Sequence, residues 1–440
     1  MTGGWVFKNA RLVDPVAGSD SGQRLLELRV EGGRIAEAGG KVTARAGDEA
    51  VDLGGAVLAP AFFDPHVHFR EPGESHKETL ESGSRAAVAG GFSDVAMMPN
   101  TSPPLDEAYR VRGVLARARE IGLCRIHVIA ACTVGQAGEQ VVSMAGLLAA
   151  GVLAFSDDGK PVASAGLMRR ALEWAQSLGA LIVTHAEEPA LKGEGVMNEG
   201  ETATRLGLVG IPAACETVAI ARDLELAALA GARLHVAHVS TARGVELVRD
   251  AKRRGLAVTA ETAPHYLCFT DRDVTRLGTA AKMNPPLRGE ADRDALLAAV
   301  ADGTLDCLAT DHAPHAPDEK GLSFADAPFG VVGLETALAA AITALGRGRS
   351  LPLVDVVARL TVGPRRVFGL PVHGLTAGAP ADLVAFDPER EWTVEPREFH
   401  TRGRHTPFAG ARLTGRVLGT WVEGRRVYDD AASRGAESPR

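Results

Sequence analysis

Between residues 59 and 365 the sequence repeats one arrangement eight times: a short apolar segment followed by a stretch with helical spacing. Near-continuous apolar strands joined by helical crossovers are typical of a parallel sheet that is covered on both faces. Eight such units within about 300 residues predict an α/β fold of the (β/α)8 TIM-barrel type. The predicted strands lie at 61–69, 94–100, 125–133, 152–158, 181–187, 234–240, 257–263 and 307–313.

The two ends of the chain differ from this middle part. Residues 1–58 and 366–430 contain short alternating segments that are separated by glycine and proline turns, a pattern typical of antiparallel strands. They predict a small β-sandwich accessory domain that both termini build beside the barrel domain at 59–365. The last residues, 431–440, are predicted to form a disordered tail.

Composition and charge exclude several classes of protein. Hydrophobic residues make up 45% and charged residues 23% of the 440 residues, as in an ordinary globular protein. The net charge is −7 without long runs of lysine and arginine, so nucleic acid is not an expected partner. Five scattered cysteines without a C-x-x-C pair predict reduced thiols and a cytoplasmic location. Neither a signal peptide nor a membrane-spanning segment is expected.

Residues that can bind a metal ion are concentrated at the C-terminal ends of the predicted strands, where TIM-barrel enzymes carry their active sites. They are His66, His68, Asp157, Asp158, His185, His238 and Asp311. Since side chains alternate along a strand, His66 and His68 face the same side and can reach one ion. Four imidazoles with carboxylates suit Zn²⁺ or a similar divalent ion, and six ligands that include a central carboxylate suit two ions.

Each of these residues, taken alone, has a simpler explanation. A histidine in a buried strand is more often a hydrogen-bonded core residue than a ligand. This interpretation is favoured for His127, His235, His265 and His312. Asp157 and Asp158 could instead cap the helix that follows them. Such roles do not explain why potential ligands recur at the same end of several strands, and the joint pattern predicts a metal centre.

An ordered set of longer motifs extends over nearly the whole chain. The segments are DPHVHFREPGESHKET (64–79), MMPNTSPPLD (97–106), FSDDG (155–159), THAEE (184–188), HVSTARG (238–244), ETAPHYL (261–267), KMNPPLR (282–288), TDHAPH (310–315) and PFGVVGLE (328–335). In this order and spacing they resemble the amidohydrolase superfamily and, within it, the long, type I-like class of bacterial dihydroorotases. HFREPG, MPNT, NPPLR and DHAPH are the most specific of these motifs.

The resemblance implies a centre of two zinc ions per subunit, bridged by Asp158 and a hydroxide. The implied ligands are His66, His68 and Asp311 for one ion, His185 and His238 for the other, and Asp158 for both. Many amidohydrolases use a carboxylated lysine as the bridge, but no lysine ends strand 4, and the resembling dihydroorotases use aspartate. Asp157 stays open as the alternative bridge. Asp311 is also expected to carry a proton from water to the leaving nitrogen.

Arg70 follows His68 by two residues, and its guanidinium group could pair with a substrate carboxylate through two hydrogen bonds. A surface salt bridge is the alternative for this arginine. From spacing alone, Asn100 and Asn284 could equally form Asx turns. The substrate-binding residues that the resemblance implies are His68, Arg70, Asn100, Asn284, His315, Phe329 and Gly330.

The resemblance therefore implies an enzyme that interconverts N-carbamoyl-L-aspartate and L-dihydroorotate in de novo pyrimidine (UMP) biosynthesis. A cyclic amidase of the hydantoinase or allantoinase type is one alternative, which Arg70 and the missing bridging lysine disfavour. A non-catalytic subunit of an aspartate carbamoyltransferase complex is another, and the complete set of ligands disfavours it. A homo-oligomer is expected, and association with aspartate carbamoyltransferase is compatible with catalysis. No membrane partner is expected.

Overall fold

A computed structural model describes residues 4–430 of the chain, so the tail predicted at 431–440 lies outside the described residues. Eight parallel strands follow one another in a single sheet. The backbone N–H of His68 donates to the carbonyl of His312 (2.8 Å) and joins the first strand to the segment after the eighth. This contact completes the barrel and confirms the predicted fold class. The barrel strands are Phe62–Val67, Phe92–Met97, Arg125–Ala130, Val152–Phe155, Leu181–Thr184, Arg233–Val236, Val258–Thr262 and Cys307–Leu308.

The strands are shorter at their C-terminal ends than the sequence predicts. The fourth strand ends at Phe155 and the eighth at Leu308, whereas apolar patterning extends them to 158 and 313. The reason is that the chain leaves the sheet where its polar side chains turn into the barrel mouth. His238 and Asp311 there have φ angles of 35° and 49°, in the left-handed region that residues with a side chain rarely adopt. Such strained positions are found at functional sites more often than elsewhere.

Helices surround the barrel and bury one face against it. In the helix Ala165–Ser177, the side chain of Ser164 accepts a hydrogen bond from the backbone of Leu167, and the apolar side chains recur at helical spacing on the buried face. The longer helices are Leu80–Ala89, Ala108–Ile121, Ala165–Ser177, Ala214–Ala230, Ala242–Arg253, Glu290–Asp302 and Leu353–Leu360. Shorter helices are Met144–Ala149, Pro189–Lys192, Glu201–Leu206, Pro264–Cys268, Val274–Leu277, Pro317–Lys320, Ala337–Ala341 and Val362–Val367. Within residues 4–430, none of the helices has the length and apolar character needed to span a bilayer.

Both ends of the chain contribute to one mixed sheet. Val57–Pro60 from the N-terminal part pairs antiparallel with Leu383–Thr393 from the C-terminal part. The sheet strands are Trp5–Asp14, Ser19–Asp20, Leu26–Glu31, Arg34–Gly39, Glu49–Asp52, Val57–Pro60, Leu383–Thr393, Arg412–Val422 and Arg425–Asp429. A separate core that includes Phe7 and Trp421 lies against this sheet. The division into two domains at residues 58 and 366 stays a prediction.

Charged side chains join the sheet to the N-terminal end of the barrel. The buried carboxylate of Asp94 contacts Arg125 (2.9 Å), Arg365 (2.6 Å) and the imidazole of His127 (2.9 Å). Arg125 also reaches Asp382 (2.5 Å), which directly precedes a strand of the terminal sheet. Permanently charged arginines thus neutralise the carboxylates at this end of the molecule, far along the strands from the predicted metal ligands.

Candidate metal centre

Asp158 lies at the centre of a buried cluster at the C-terminal end of the barrel. Its Oδ1 atom lies 3.4 Å from Nε2 of His66, 3.4 Å from Nδ1 of His185 and 3.5 Å from Nε2 of His238. Its other oxygen, Oδ2, lies 3.4 Å from Nε2 of His68. One carboxylate therefore contacts four imidazoles that come from three strands, which is the placement expected of a bridge between two ions.

Asp311 approaches the same cluster from the loop that follows the eighth strand. Its Oδ1 atom lies 3.0 Å from Nε2 of His68 and 3.6 Å from Nε2 of His66. The donor atoms of His66, His68 and Asp311 all lie within 4.8 Å of one another, as do those of His66, Asp158 and His238. All six ligands predicted from the sequence are thus brought together.

Two of the donor atoms in this cluster lack the partners that buried polar atoms normally have. Among the described residues, Nε2 of His66 and Oδ1 of Asp158 are buried without a hydrogen-bond partner. Two ring nitrogens, Nδ1 of His185 and Nε2 of His238, face each other at 2.9 Å. Leaving such atoms unsatisfied costs free energy, whereas a bound cation would be a partner for all of them. Nitrogen and oxygen donors of this kind fit divalent ions such as Zn²⁺.

Asp157, the alternative bridge, points to a different part of the structure. Its carboxylate accepts hydrogen bonds from the backbone N–H groups of Cys132 (2.8 Å) and Thr133 (3.1 Å), just after the third strand. Burial raises the pKa of Asp157 to about 6. Asp157 therefore supports the loop beside the site, and the geometry favours Asp158 as the bridging residue.

Buried carboxylates outside the cluster fix the backbone that carries it. Asp64 accepts hydrogen bonds from the backbone of His66 (3.1 Å) and of Thr310 (3.1 Å), so it ties the first strand to the loop that bears Asp311. Glu216, on a surrounding helix, accepts from the backbone of Ser240 (3.1 Å), two residues after His238. These bonds hold the strained backbone of the ligands in place.

Hydrogen bonds at Nδ1 orient the rings of His66 and His68 from the side opposite Asp158 and Asp311. Nδ1 of His68 lies 2.8 Å from Oδ1 of Asn100, and Nδ1 of His66 lies 3.2 Å from Oε1 of Glu261. In each ring the Nδ1–H can donate outward, which leaves Nε2 unprotonated and directed toward the carboxylates. Ligating histidines in metal sites are typically held in this way.

The charges of the cluster favour a cation between the carboxylates. Burial alone would raise the pKa of Asp158, but the imidazoles of His66 and His185 lower it well below its usual range. Burial also opposes protonation of His185, yet hydrogen bonds with Asp158 and Glu187 raise its pKa to about 9. The carboxylate therefore stays ionised although it is buried, and ionised buried groups need a positive partner.

A cavity of about 360 Å³ opens above the cluster, and all seven predicted substrate-binding residues line it. Arg70 is 7% exposed, and its Nε donates to the carbonyl of Pro314 (3.1 Å). Within residues 4–430 this guanidinium forms no ion pair with a carboxylate, and burial lowers its pKa. The surface salt bridge considered for Arg70 is therefore absent from the described part of the chain.

The remaining predicted contacts form the walls of this cavity. Nε2 of His315 lies 2.7 Å from the carbonyl of Phe329 and 3.3 Å from the guanidinium of Arg70. Gly330 has a φ of 132°, and a side chain there would meet the carbonyl of Ala313 at 2.7 Å. Only glycine fits at this position, which brings the backbone close to the cavity.

Three charged residues at the site were not identified from the sequence. Glu187 accepts a hydrogen bond from Asn284 (2.6 Å) and pairs with Lys192 (3.0 Å) at the edge of the cavity. Glu261 contacts His66 from below. A carboxylate inside the otherwise uncharged strand Val258–Thr262 is a signal that could have identified Glu261, whereas the other two lie in segments where charges are common.

Known proteins resemble the chain at both levels, sequence and structure. Residues 55–244 match the family described as "Dihydro-orotase-like". The chain is 48% identical to a dihydroorotase from Anaeromyxobacter dehalogenans strain 2CP-1, over 96% of this chain and 98% of that protein. It is 46% identical to a dihydroorotase from Pelobacter propionicus, over 96% and 99% of the two chains.

Solved structures share the fold at lower identity. The L-hydantoinase from Arthrobacter aurescens superposes with a TM-score of 0.85 at 26% identity and covers 98% of this chain and 96% of its own. A D-hydantoinase from Thermus sp. gives a TM-score of 0.81 at 24% identity, over 97% and 95% of the two chains. These similarities place the protein among cyclic-amide hydrolases, and the sequence identity over nearly the full length shows that the chain belongs to the dihydroorotase family.

Proposed function

We propose that this protein is a metal-dependent dihydroorotase that interconverts L-dihydroorotate and N-carbamoyl-L-aspartate in pyrimidine biosynthesis. Its near full-length dihydroorotase relatives support the reaction. The observation that carries the substrate class is Arg70, a buried guanidinium that faces the cavity without a carboxylate partner among the described residues. An unpaired charge in the protein interior costs roughly several kcal/mol. A substrate carboxylate would offset this cost by accepting two hydrogen bonds from the guanidinium.

The groups around Arg70 suit one carboxylate. Asn100 lines the cavity and holds His68 through its carbonyl oxygen, so its amide nitrogen is available as a donor. His315 is kept neutral, because burial and the charge of Arg70 lower its pKa to about 2. A neutral imidazole beside Arg70 adds hydrogen bonding without repelling the guanidinium. We assign Arg70, Asn100 and His315 to the carboxylate, and Asn284 with the backbone at Phe329 and Gly330 to the ring.

Two zinc ions are the proposed cofactors. The ligands would be His66, His68 and Asp311 for the first ion, His185 and His238 for the second, and Asp158 between them. Such ions supply Lewis acidity, which lowers the pKa of water to about 7 and stabilises negative charge on the substrate carbonyl oxygen. All six of these side chains are buried.

Asp311 is proposed to move the proton. Burial would raise the pKa of its carboxyl, but the hydrogen bond with His68 and the nearby imidazoles lower it, so the group starts as a carboxylate. In hydrolysis Asp311 accepts a proton from the attacking water while the new carbon–oxygen bond forms. It then gives this proton to the ring nitrogen as the carbon–nitrogen bond breaks. In cyclisation the same carboxylate carries the proton in the opposite direction.

The alternatives from the sequence are less well supported. A hydantoinase shares the fold, but its reaction does not account for the buried guanidinium of Arg70. A purely scaffolding subunit would not need six converging ligands. A homo-oligomer, an association with aspartate carbamoyltransferase and a cytoplasmic location remain predictions, and size-exclusion chromatography with and without the transcarbamoylase tests the first two.

The purified protein is expected to hydrolyse L-dihydroorotate and to contain about two zinc ions per chain. Hydantoin and allantoin should be poor substrates, because neither places a carboxylate against Arg70. The measurement is kcat/KM for the three compounds, with metal content determined on the same sample. Faster hydrolysis of hydantoin than of dihydroorotate would contradict the proposed substrate.

Replacing Arg70 by glutamine should raise the KM for N-carbamoyl-L-aspartate about 100-fold, because charged hydrogen bonds to the substrate carboxylate are lost. The melting temperature should change little, since this arginine forms no ion pair within residues 4–430 and only its hydrogen bonds to Pro314 and His315 are affected. The control is Arg85→Gln, whose exposed pair with Glu81 lies on a surface helix. An R70Q protein that loses stability and keeps its KM would make Arg70 structural.

Asp158→Asn should lower the zinc content below that of the wild type, because a neutral amide cannot bridge two cations. Asp157→Asn is the matched control, since its side chain is directed to the backbone of Cys132 and Thr133. Both variants are compared by elemental analysis after dialysis. If D157N lost zinc and D158N kept its full zinc content, Asp157 and not Asp158 would be the bridging residue.

Asp311→Ala should lower kcat by at least about 100-fold while most of the zinc stays bound. The physical reason is that five ligands remain, whereas the group that transfers the proton is gone. Zinc content and kcat are measured on one preparation. A variant that retains wild-type turnover would remove Asp311 from proton transfer.

A further inference from the structure

A row of polar side chains in close contact lies below the metal centre, inside the barrel. Nδ1 of His66 is 3.2 Å from Oε1 of Glu261, and Oε2 of Glu261 is 3.1 Å from Nε2 of His235. The ring of His235 continues through Nδ1 to the hydroxyl of Thr259 (2.8 Å). The row thus connects the first, seventh and sixth strands and leads away from the ion site.

Burying the charged side chain of Glu261 at this position costs free energy. Its side chain is 1% exposed, in a strand that is otherwise uncharged, and its two ion-pair partners within residues 4–430 are both histidines. A buried ionic group is seldom more stabilising than a well-packed apolar side chain of similar volume. Packing alone therefore does not explain why a carboxylate stands here.

The orientation of His66 explains it better. Its Nε2 faces Asp158 (3.4 Å) and Asp311 (3.6 Å), so this nitrogen must be unprotonated to bind a cation. The ring proton then lies on Nδ1 and is donated to Oε1 of Glu261. The other oxygen of Glu261 lies 3.1 Å from Nε2 of His235, an ion-pair contact without hydrogen-bond geometry. A carboxylate thus presents one oxygen to each ring.

The neighbouring ligand lacks such a group. His68 is held from behind by the neutral amide oxygen of Asn100 (2.8 Å). Of these two ligand histidines, His66 alone is backed by a negative charge. A carboxylate behind a ligating imidazole increases the basicity of the ring and fixes its tautomer.

We propose that Glu261 is a positioning residue for the ion bound by His66, and that His235 and Thr259 hold its carboxylate in place. This inference rests on the proposed metal centre. Glu261 does not touch substrate or ion; it acts through the ring of His66. Metal affinity, and not the catalytic step itself, is the property that it controls.

Glu261→Gln preserves the size of the side chain but replaces the negative charge behind His66 with a neutral amide. We expect the zinc affinity of one of the two ions to fall about 10- to 100-fold, measured by competition with a chromophoric chelator. The cobalt-substituted protein should show a changed visible absorption spectrum. Activity at limiting zinc should fall, and excess zinc should restore it. Wild-type affinity and an unchanged cobalt spectrum would overturn the inference.

Asp94→Asn is the matched control. Asp94 forms a comparable buried pair with His127 (2.9 Å) at the opposite end of the barrel. It should lower the melting temperature and leave zinc affinity unchanged, whereas an equal loss of zinc in both variants would mean that E261Q acts through stability. If E261Q does not fold, His235→Leu replaces it, because this change removes the imidazole that lies 3.1 Å from Oε2. Reduced zinc affinity in H235L then supports the inference, and wild-type affinity overturns it.

The failure of this inference differs from the failure of the proposed function. A wild-type protein that binds no zinc and hydrolyses no dihydroorotate refutes the function. A wild-type protein that binds zinc and is active, with an E261Q variant of equal zinc affinity, refutes only the role of Glu261.

Discussion

The burial of ionised carboxylates among imidazole rings determines the chemistry of this molecule. Asp158 is nearly inaccessible to water and is surrounded by imidazoles, with no lysine or arginine in contact with it among residues 4–430. Such a group is costly unless a cation compensates its charge. The chain tolerates left-handed backbone at His238 and Asp311 to build this arrangement. We interpret that local strain as the cost of a site prepared for metal ions.

The charges of buried carboxylates are compensated in different ways at the two ends of the barrel. At the N-terminal end, Asp94 is neutralised by Arg125 and Arg365, whose charge is permanent. At the C-terminal end, Asp158 meets histidines, which can release their protons and ligate an ion instead. The first arrangement is closed and ties the barrel to the terminal sheet. The second arrangement can still bind an ion. This difference agrees with the general pattern in TIM barrels, where one end contributes to stability and the other carries the active site.

The sequence predicted correctly those features that depend on a repeating pattern within a short segment. Apolar segments revealed eight strands, and the alternation of side chains placed His66 and His68 on one face. The strand ends were predicted too late because apolar patterning does not show where the backbone leaves the sheet. The choice between Asp157 and Asp158 depended on a shift of a single residue, which only the hydrogen bonds to Cys132 and Thr133 reveal.

Long-range pairing was harder to predict. The contact between Val57–Pro60 and Leu383–Thr393 joins segments more than 300 residues apart, and the alternating pattern in each does not identify its partner. The contact between Glu261 and His66 is of the same kind, because two strands distant in sequence must meet inside the barrel. A buried charge in a strand indicates that a partner exists but does not say which one.

The relation to hydantoinases shows where substrate specificity must lie. A TM-score of 0.85 with an L-hydantoinase at 26% identity means that the backbone alone does not distinguish the substrates. The difference then has to come from side chains around the cavity. Arg70 is a strong candidate because a buried guanidinium favours an anionic substrate through both charge and geometry. A neutral ring in the same cavity would leave that charge without a partner. In the proposed role, the arginine would therefore select against such substrates as well as for a carboxylate.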